Sequence, residues 1–105
     1  MIEMLKSKIH RAKVTSKDIN YEGSITIDKE LCKKVNLNEF EKVDVYNITN
    51  GNRFTTYVIY GKKGEIQVNG AAARLCEVGD LLIIASYCIV NQKEISKHKP
   101  ILIKF

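Results

Sequence analysis

Apolar and polar residues alternate along much of this chain with a period of two, the pattern of strands with one buried face. Met4 to Thr15 (MLKSKIHRAKVT) alternates loosely and ends in a β-branched pair. As a strand it places Leu5, Ser7 and Ile9 on one face and Lys6, Lys8 and His10 on the other; an edge strand decorated with Lys against aggregation reads the same way. Ser16 to Asn20 is polar and turn-like. Tyr21 to Ile27 (YEGSITI) resumes strand-type residues, so Gly23-Ser24 falls at a strand entry. Asp28 suits the N-cap of a short helix over Lys29 to Val35, with Leu31 and Val35 as its apolar pair.

The pattern continues with a strand over Val43 to Ile48. Asn50-Gly51 is the strongest local hairpin signal in the chain, and the return strand is Arg53 to Tyr60. In a regular strand Arg53, Thr55 and Tyr57 share one face, and Phe54, Thr56 and Val58 the other. Gly61 to Gly64 closes a second turn before a short strand, Glu65 to Val68. Asn69-Gly70-Ala71-Ala72-Ala73 is too small-sided for a packed strand, and Ala71 to Ala73 start a short helix. Exposed N–H groups there suit an anion; a tight turn with packed alanines is the plainer reading. Gly79-Asp80 leads into Leu81 to Val90, which reads as a fully buried strand. Pro100 precedes a last strand, Ile101 to Phe105. Six or seven short strands with one or two short helices predict a mainly β protein built as a small barrel.

Composition narrows the classes. At 105 residues the chain is a single domain. The net charge of +5 suits anionic partners, nucleic acid or a small dicarboxylate among them, although the cations are scattered as on an ordinary solvated surface. Cys32, Cys76 and Cys88 are odd in number and lack a C-x-x-C spacing. They point to buried free thiols in a reducing cytoplasm, with no disulfide framework and no metal site. Met1 to Leu5 lacks the layout of a signal peptide, and the longest apolar run, Leu81 to Val90, is about half a membrane span.

One dipeptide carries candidate chemistry. The Ser24 hydroxyl can reach the Gly23 carbonyl through a five-membered ring and convert that amide to an ester. Elimination and hydrolysis then leave a pyruvoyl group on a new N-terminus. The step asks for a small residue before the serine, a backbone held off its resting geometry and a donor for the developing oxyanion. Most Gly-Ser pairs are plain turns.

The surrounding blocks decide between these readings. Ser7 to Thr15 (SKIHRAKVT), Tyr21 to Ser24 (YEGS), Asn47 to Tyr57 (NITNGNRFTTY), Val68 to Ala73 (VNGAAA) and Val78 to Ala85 (VGDLLIIA) follow one another in one register. Together they closely resemble the bacterial pyruvoyl-dependent aspartate 1-decarboxylases, from residue 1 to about residue 90. The resemblance implies a double-psi β-barrel and a cytoplasmic homotetramer. It also implies self-processing of the single domain 1–105 into 1–23 and 24–105, and decarboxylation of L-aspartate to β-alanine and CO2 for pantothenate biosynthesis. A covalent pyruvoyl group derived from Ser24 holds the substrate amine as a Schiff base, so neither pyridoxal phosphate nor a metal is expected. Position by position, Gly23-Ser24 matches the cleavage site and Tyr57 the proton donor. Thr56, Gly70, Ala71 and Ala72 match substrate-binding positions, and Lys8 and Arg53 the cations that hold carboxylates. His10, Tyr46, Asn69 and Ile83 fall where the site is lined. Tyr46 stands where a Trp is frequent, and the stretch after Pro100 is shorter than the charged tail of many members. Because Thr56 and Tyr57 are adjacent, one site takes both only through a twisted strand or a subunit boundary, and a boundary is expected. Whether a maturation factor takes part is open. The competing class is a basic β-barrel that binds nucleic acid or another anion, with Tyr21, Tyr46, Phe54, Tyr57 and Tyr60 as stacking positions.

Overall fold

A computed structural model describes all residues, 1–105. The protein is mainly β. Eight strands run β1 (Ile2–Lys13), β2 (Ser16–Asp18), β3 (Ser24–Asp28), β4 (Lys42–Asn47), β5 (Arg53–Gly61), β6 (Ile66–Asn69), β7 (Leu81–Val90) and β8 (Ile101–Lys104). They form one sheet in the order β2-β6-β3-β5-β4-β7-β1-β8. Only Val14 and Thr15 separate β1 from β2, and the Thr15 amide already bonds Ile66 O at 2.8 Å. β1 and β2 therefore act as one long strand. It pairs with β7 at one end and β6 at the other, which closes a six-membered ring of β1/β2, β6, β3, β5, β4 and β7.

Alternation explains the interior. Ile9, Ile25, Ile27, Val43, Val45, Val58, Val68, Leu82 and Ile84 are buried together, each at the inward position of its strand. One α-helix, α1 (Lys29–Lys34), covers an end of the ring, with Cys32, Val35 and Leu37 joining the core. Burial pushes the Cys32 thiol up to about 12, so it packs as a small apolar group.

Several expectations change. Ser16–Asp18, expected as a turn, is a short strand parallel to β6. β1 is no edge: over Ser7 to His10 it lies between β7 and β8. A bulge at Lys6 sets Leu5 opposite Tyr87 and Ser7 opposite Ser86, so Leu5 leaves the face of Ser7 and Ile9. The released Lys6 ammonium bonds the Glu41 carboxylate at 2.9 Å. Leu81 to Val90 is not fully buried, because Tyr87 and Ile89 are exposed where β7 and the start of β1 run on as a two-stranded arm. A 3₁₀ helix over Gln92–Lys97 was not expected, since it has no apolar period and is held by the Asn91 side chain capping the Lys93 amide.

Asp28 shows how local sequence fixes this frame. One carboxylate oxygen caps the Glu30 and Leu31 amides at 2.8 and 3.3 Å, and the other accepts from Gly64 at 2.8 Å. These backbone donors, Gly64 first, hold its carboxyl below the usual carboxylate range. Asp28→Ala is expected to cost about 1 kcal/mol in urea unfolding at neutral pH. A depressed folded pKa contributes stability above the unfolded value and loses it as pH falls through the folded one. The difference between the variant and the parent therefore shrinks below about pH 4.

Candidate active site

Strand register brings the Gly-Ser pair to its partners. β3 pairs antiparallel with β6, and Ser24 stands opposite Asn69. Both are fully buried, on the side of their strands away from Ile25 and Val68. The Asn69 amide donates to Ser24 Oγ at 3.0 Å and to Thr26 Oγ1 at 3.0 Å, while its own oxygen accepts from Gln67 at 2.6 Å. Ser24 Oγ donates in turn to Glu22 O at 3.0 Å. The nucleophile candidate is thus fixed from both sides in an uncleaved chain.

The glycine that this geometry demands is Gly70. It has φ +74°, and a Cβ there would sit 2.6 Å from Gly23 Cα and 2.9 Å from Gly23 N. Gly23 itself has open space where a Cβ would be. The small-residue requirement therefore falls on the facing turn in the resting chain, where the loop Tyr21 to Gly23 lies on Gly70. Gly70 opens a 3₁₀ helix, Gly70–Leu75, that carries Ala71 and Ala72. Its far end is clamped: the amides of Asn47, Asn50 and Asn52 all donate to Leu75 O, at 3.3, 3.0 and 3.1 Å. Asn47 also bonds the Asp80 carboxylate at 2.8 Å. Thr26, Gln67 and the Asn trio escaped the sequence reading. The β3–β6 register would have indicated the first two, and the repeated Asn around Gly51 was a visible signal for the rest.

A second group runs across the same outer surface. Lys8 stands opposite Ala85, His10 opposite Ile83, Ile83 opposite Tyr46, and Tyr46 opposite Arg53. Register partners share a face, so Lys8, His10, Ile83, Tyr46 and Arg53 form one continuous strip. The Arg53 guanidinium lies 4.4 Å from the Tyr46 ring centre. Tyr46 Oη meets Tyr87 Oη at 2.9 Å, and that bond, with burial, pushes Tyr46 up to about 12. Burial, then Lys8, Lys104 and Arg11, hold His10 below the ordinary imidazole value, and its Nδ1 is buried without a partner. Neither Lys8 nor Arg53 forms a salt bridge within the chain, which leaves both cations free for carboxylates.

Tyr57 connects the two groups. β3 and β5 run parallel with Ile25 opposite Val58, and Ser24 and Tyr57 each lie one step back along these strands. Tyr57 shares the outward face of Arg53, while Thr56 stands opposite buried Val43 and faces the other way. Ser24 bonds Asn69 and faces the Gly70 turn, and Tyr57 stands on the adjacent strand with its ring 6.5 Å from that of Phe40. The strip runs from Arg53 on β5 across β4 and β7 to Lys8 on β1, and Thr56 is on the other face of β5. A cavity of about 600 Å³ lies elsewhere, between α1, β1 and β8. No cluster of three His, Cys, Asp or Glu side chains is arranged to hold a metal, and no helix is long and apolar enough to cross a membrane.

The barrel, with its serine buried at a glycine-cradled strand entry, belongs to a decarboxylase class. The sequence profile of aspartate decarboxylase matches residues 1–105. The chain is 57% identical over 100 residues to an aspartate 1-decarboxylase from Hydrogenobaculum sp. (strain Y04AAS1), covering 95% of this chain and 80% of that protein. It is 59% identical over 99 residues to one from Campylobacter hominis, covering 94% and 87%. It is 59% identical over 101 residues to one from Caldicellulosiruptor bescii, covering 94% and 79%. The chain belongs to the aspartate decarboxylase family. The nucleic-acid reading loses its footing with that membership, and Tyr46 is already occupied by Arg53 and Tyr87.

Gly70→Ala combines the positive φ with a backbone collision, so in a Ser24→Ala background it should lower stability by more than about 1 kcal/mol. Gly23→Ala in the same background should stay within roughly 0.5 kcal/mol of its parent. Urea midpoints of the two double variants test this, and equal midpoints would show that Gly70 does not bear on the loop.

Proposed function

We propose that this chain is an aspartate 1-decarboxylase that prepares itself by cutting the Gly23–Ser24 bond. The observation that carries this is the Ser24 hydroxyl, buried and held between the Asn69 amide and Glu22 O. Ser24 Oγ bonds the Gly23 carbonyl carbon while the C–N bond breaks, and the Ser24 nitrogen takes the hydroxyl proton. Loss of the Ser24 Cα proton then breaks Cβ–Oγ and releases residues 1–23 with a carboxylate. Water replaces the nitrogen, which leaves as ammonia, and a ketone remains at residue 24. That pyruvoyl group supplies the electron sink for loss of the substrate's α-carboxylate as CO2.

The remaining roles belong to ordinary side chains. Arg53, braced on Tyr46, holds one carboxylate of L-aspartate, and Lys8, three strands away from Arg53 in the same chain, holds the other across a subunit boundary. Ile83 keeps apolar surface beside the carboxylate that leaves. His10 and Asn69 line the site, and Gly70, Ala71 and Ala72 form its substrate-facing turn. Tyr57, next to Ser24, returns a proton to the α-carbon, which yields β-alanine for pantothenate biosynthesis. Thr56, half-buried on the other face of β5 from Tyr57, serves the substrate at a boundary between subunits. The exposed Tyr87 and Ile89 on the arm and Leu102 on β8 support a homotetramer, with sites at its subunit boundaries. The double-psi topology is supported by the two parallel pairings inside the six-membered ring, β2 with β6 and β3 with β5. A cytoplasmic location fits this biosynthetic role.

Intact mass spectrometry of the purified protein should show two chains divided after Gly23, the larger without an N-terminal amine. Cleavage of the isolated chain would make a maturation factor unnecessary; cleavage that needs a cell extract would call for one. Ser24→Ala should abolish both cleavage and CO2 release, and a Ser24→Ala enzyme that still releases CO2 would overturn the mechanism.

Tyr57→Phe should leave cleavage intact and slow turnover by about 100-fold or more, the scale of lost general-acid catalysis. Unchanged kcat in a fully cleaved sample would remove Tyr57 as proton donor.

A further inference from the structure

The cavity of about 600 Å³ between α1, β1 and β8 lies outside the site just described, and its lining is of two kinds. Leu31, Ile66, Leu81 and Ile103 give it an apolar wall, while Arg11, Lys13 and Lys34 bring three cations to it. None of these cations has a salt-bridge partner in the chain. Asp28 also borders the cavity, but its carboxylate is already occupied by the amides of Glu30, Leu31 and Gly64.

Arg11 is there because of the backbone. It is the extra residue of a second bulge in β1, between His10 opposite Ile83 and Ala12 opposite Leu82, and has φ +72°. A non-glycine residue there is unusual and marks a held geometry. Phe105 borders the same space, its amide bonded to His10 O at 3.0 Å. The volume is that of a small-molecule site, and cations around an apolar wall complement a ligand with an anionic head and a hydrocarbon body.

We propose that this cavity is a second binding site, separate from the decarboxylation centre, for a small organic anion with an apolar body. The anionic head meets Arg11, Lys13 and Lys34, and the body lies on Leu31, Ile66, Leu81 and Ile103.

Its apolar wall is made of residues whose methyl groups report binding directly. Methyl NMR spectra of the assembled, processed protein labelled at Ile, Leu and Val are recorded during titration with hexyl phosphate, and separately with 1-hexanol. The expected result is saturable shifts at Leu31, Ile66, Leu81 and Ile103 with hexyl phosphate. Ile25 and Ile84 in the core and Ile89 on the arm should stay still, and hexanol should bind about tenfold more weakly. Arg11→Gln with Lys34→Gln should weaken hexyl phosphate to the level of hexanol without moving the hexanol titration. Absent shifts, shifts spread over the arm and core, or equal binding of the two probes would each overturn the proposal. Shifts at the four methyls that survive the double variant unchanged would remove the anionic head from it.

Discussion

The antiparallel register of β3 and β6 is the constraint on which the rest depends. It sets Ser24 opposite Asn69, and one side-chain amide then ties Ser24, Thr26 and, through its oxygen, Gln67. A slip of β3 by one residue would turn Ser24 into the core and expose Ile25 and Ile27. The register is therefore defended by core burial, far more strongly than by the hydrogen bonds it creates. The left-handed turn at Gly70 follows at once, because the chain leaving β6 must reverse against the loop entering β3.

The outer strip rests on a different support. Lys8, His10, Ile83, Tyr46 and Arg53 come from four strands and are aligned only because bulges at Lys6 and Arg11 keep β1 in step with β7. The unpaired cations on it are tolerated because they are not enclosed; Arg53 rests on an aromatic face and stays exposed. The same bulge that restores the register of β1 turns Arg11 toward the cavity beneath α1. One irregular position thus serves two regions of the molecule.

Much of this was legible in the amino-acid order, and the losses have physical causes. Period-two runs located β3, β4, β5 and the core face of β1, and Asp28 announced α1. The faces of Arg53 and Tyr57 against Thr56 followed from alternation alone. Bulges were not legible, since an inserted residue changes facing without changing composition, and Leu5 was misplaced for that reason. The run Leu81 to Val90 looked buried throughout because hydrophobicity does not report where a partner sheet ends. Gly23 and Gly70 were both visible, but only three-dimensional packing shows that a side chain is excluded at Gly70 alone. The blocks that resemble the decarboxylases named the candidate site residues; the register sets Thr56 on the other face of β5 from Arg53 and Tyr57.

The ring closure has a bearing on what a cut after Gly23 leaves behind. Residues 1–23 contain β1 and β2, the strand that joins β7 to β6 and completes the barrel wall. Ile9, Ala12 and Val14 of that segment are core residues. A processed molecule is then two polypeptides with one shared interior, and the shorter piece cannot depart without opening the wall. A cut after Gly23 would free a chain end at residue 24, while every other part of the fold keeps its neighbours. Covalent continuity is dispensable at that point because interleaving has already replaced it.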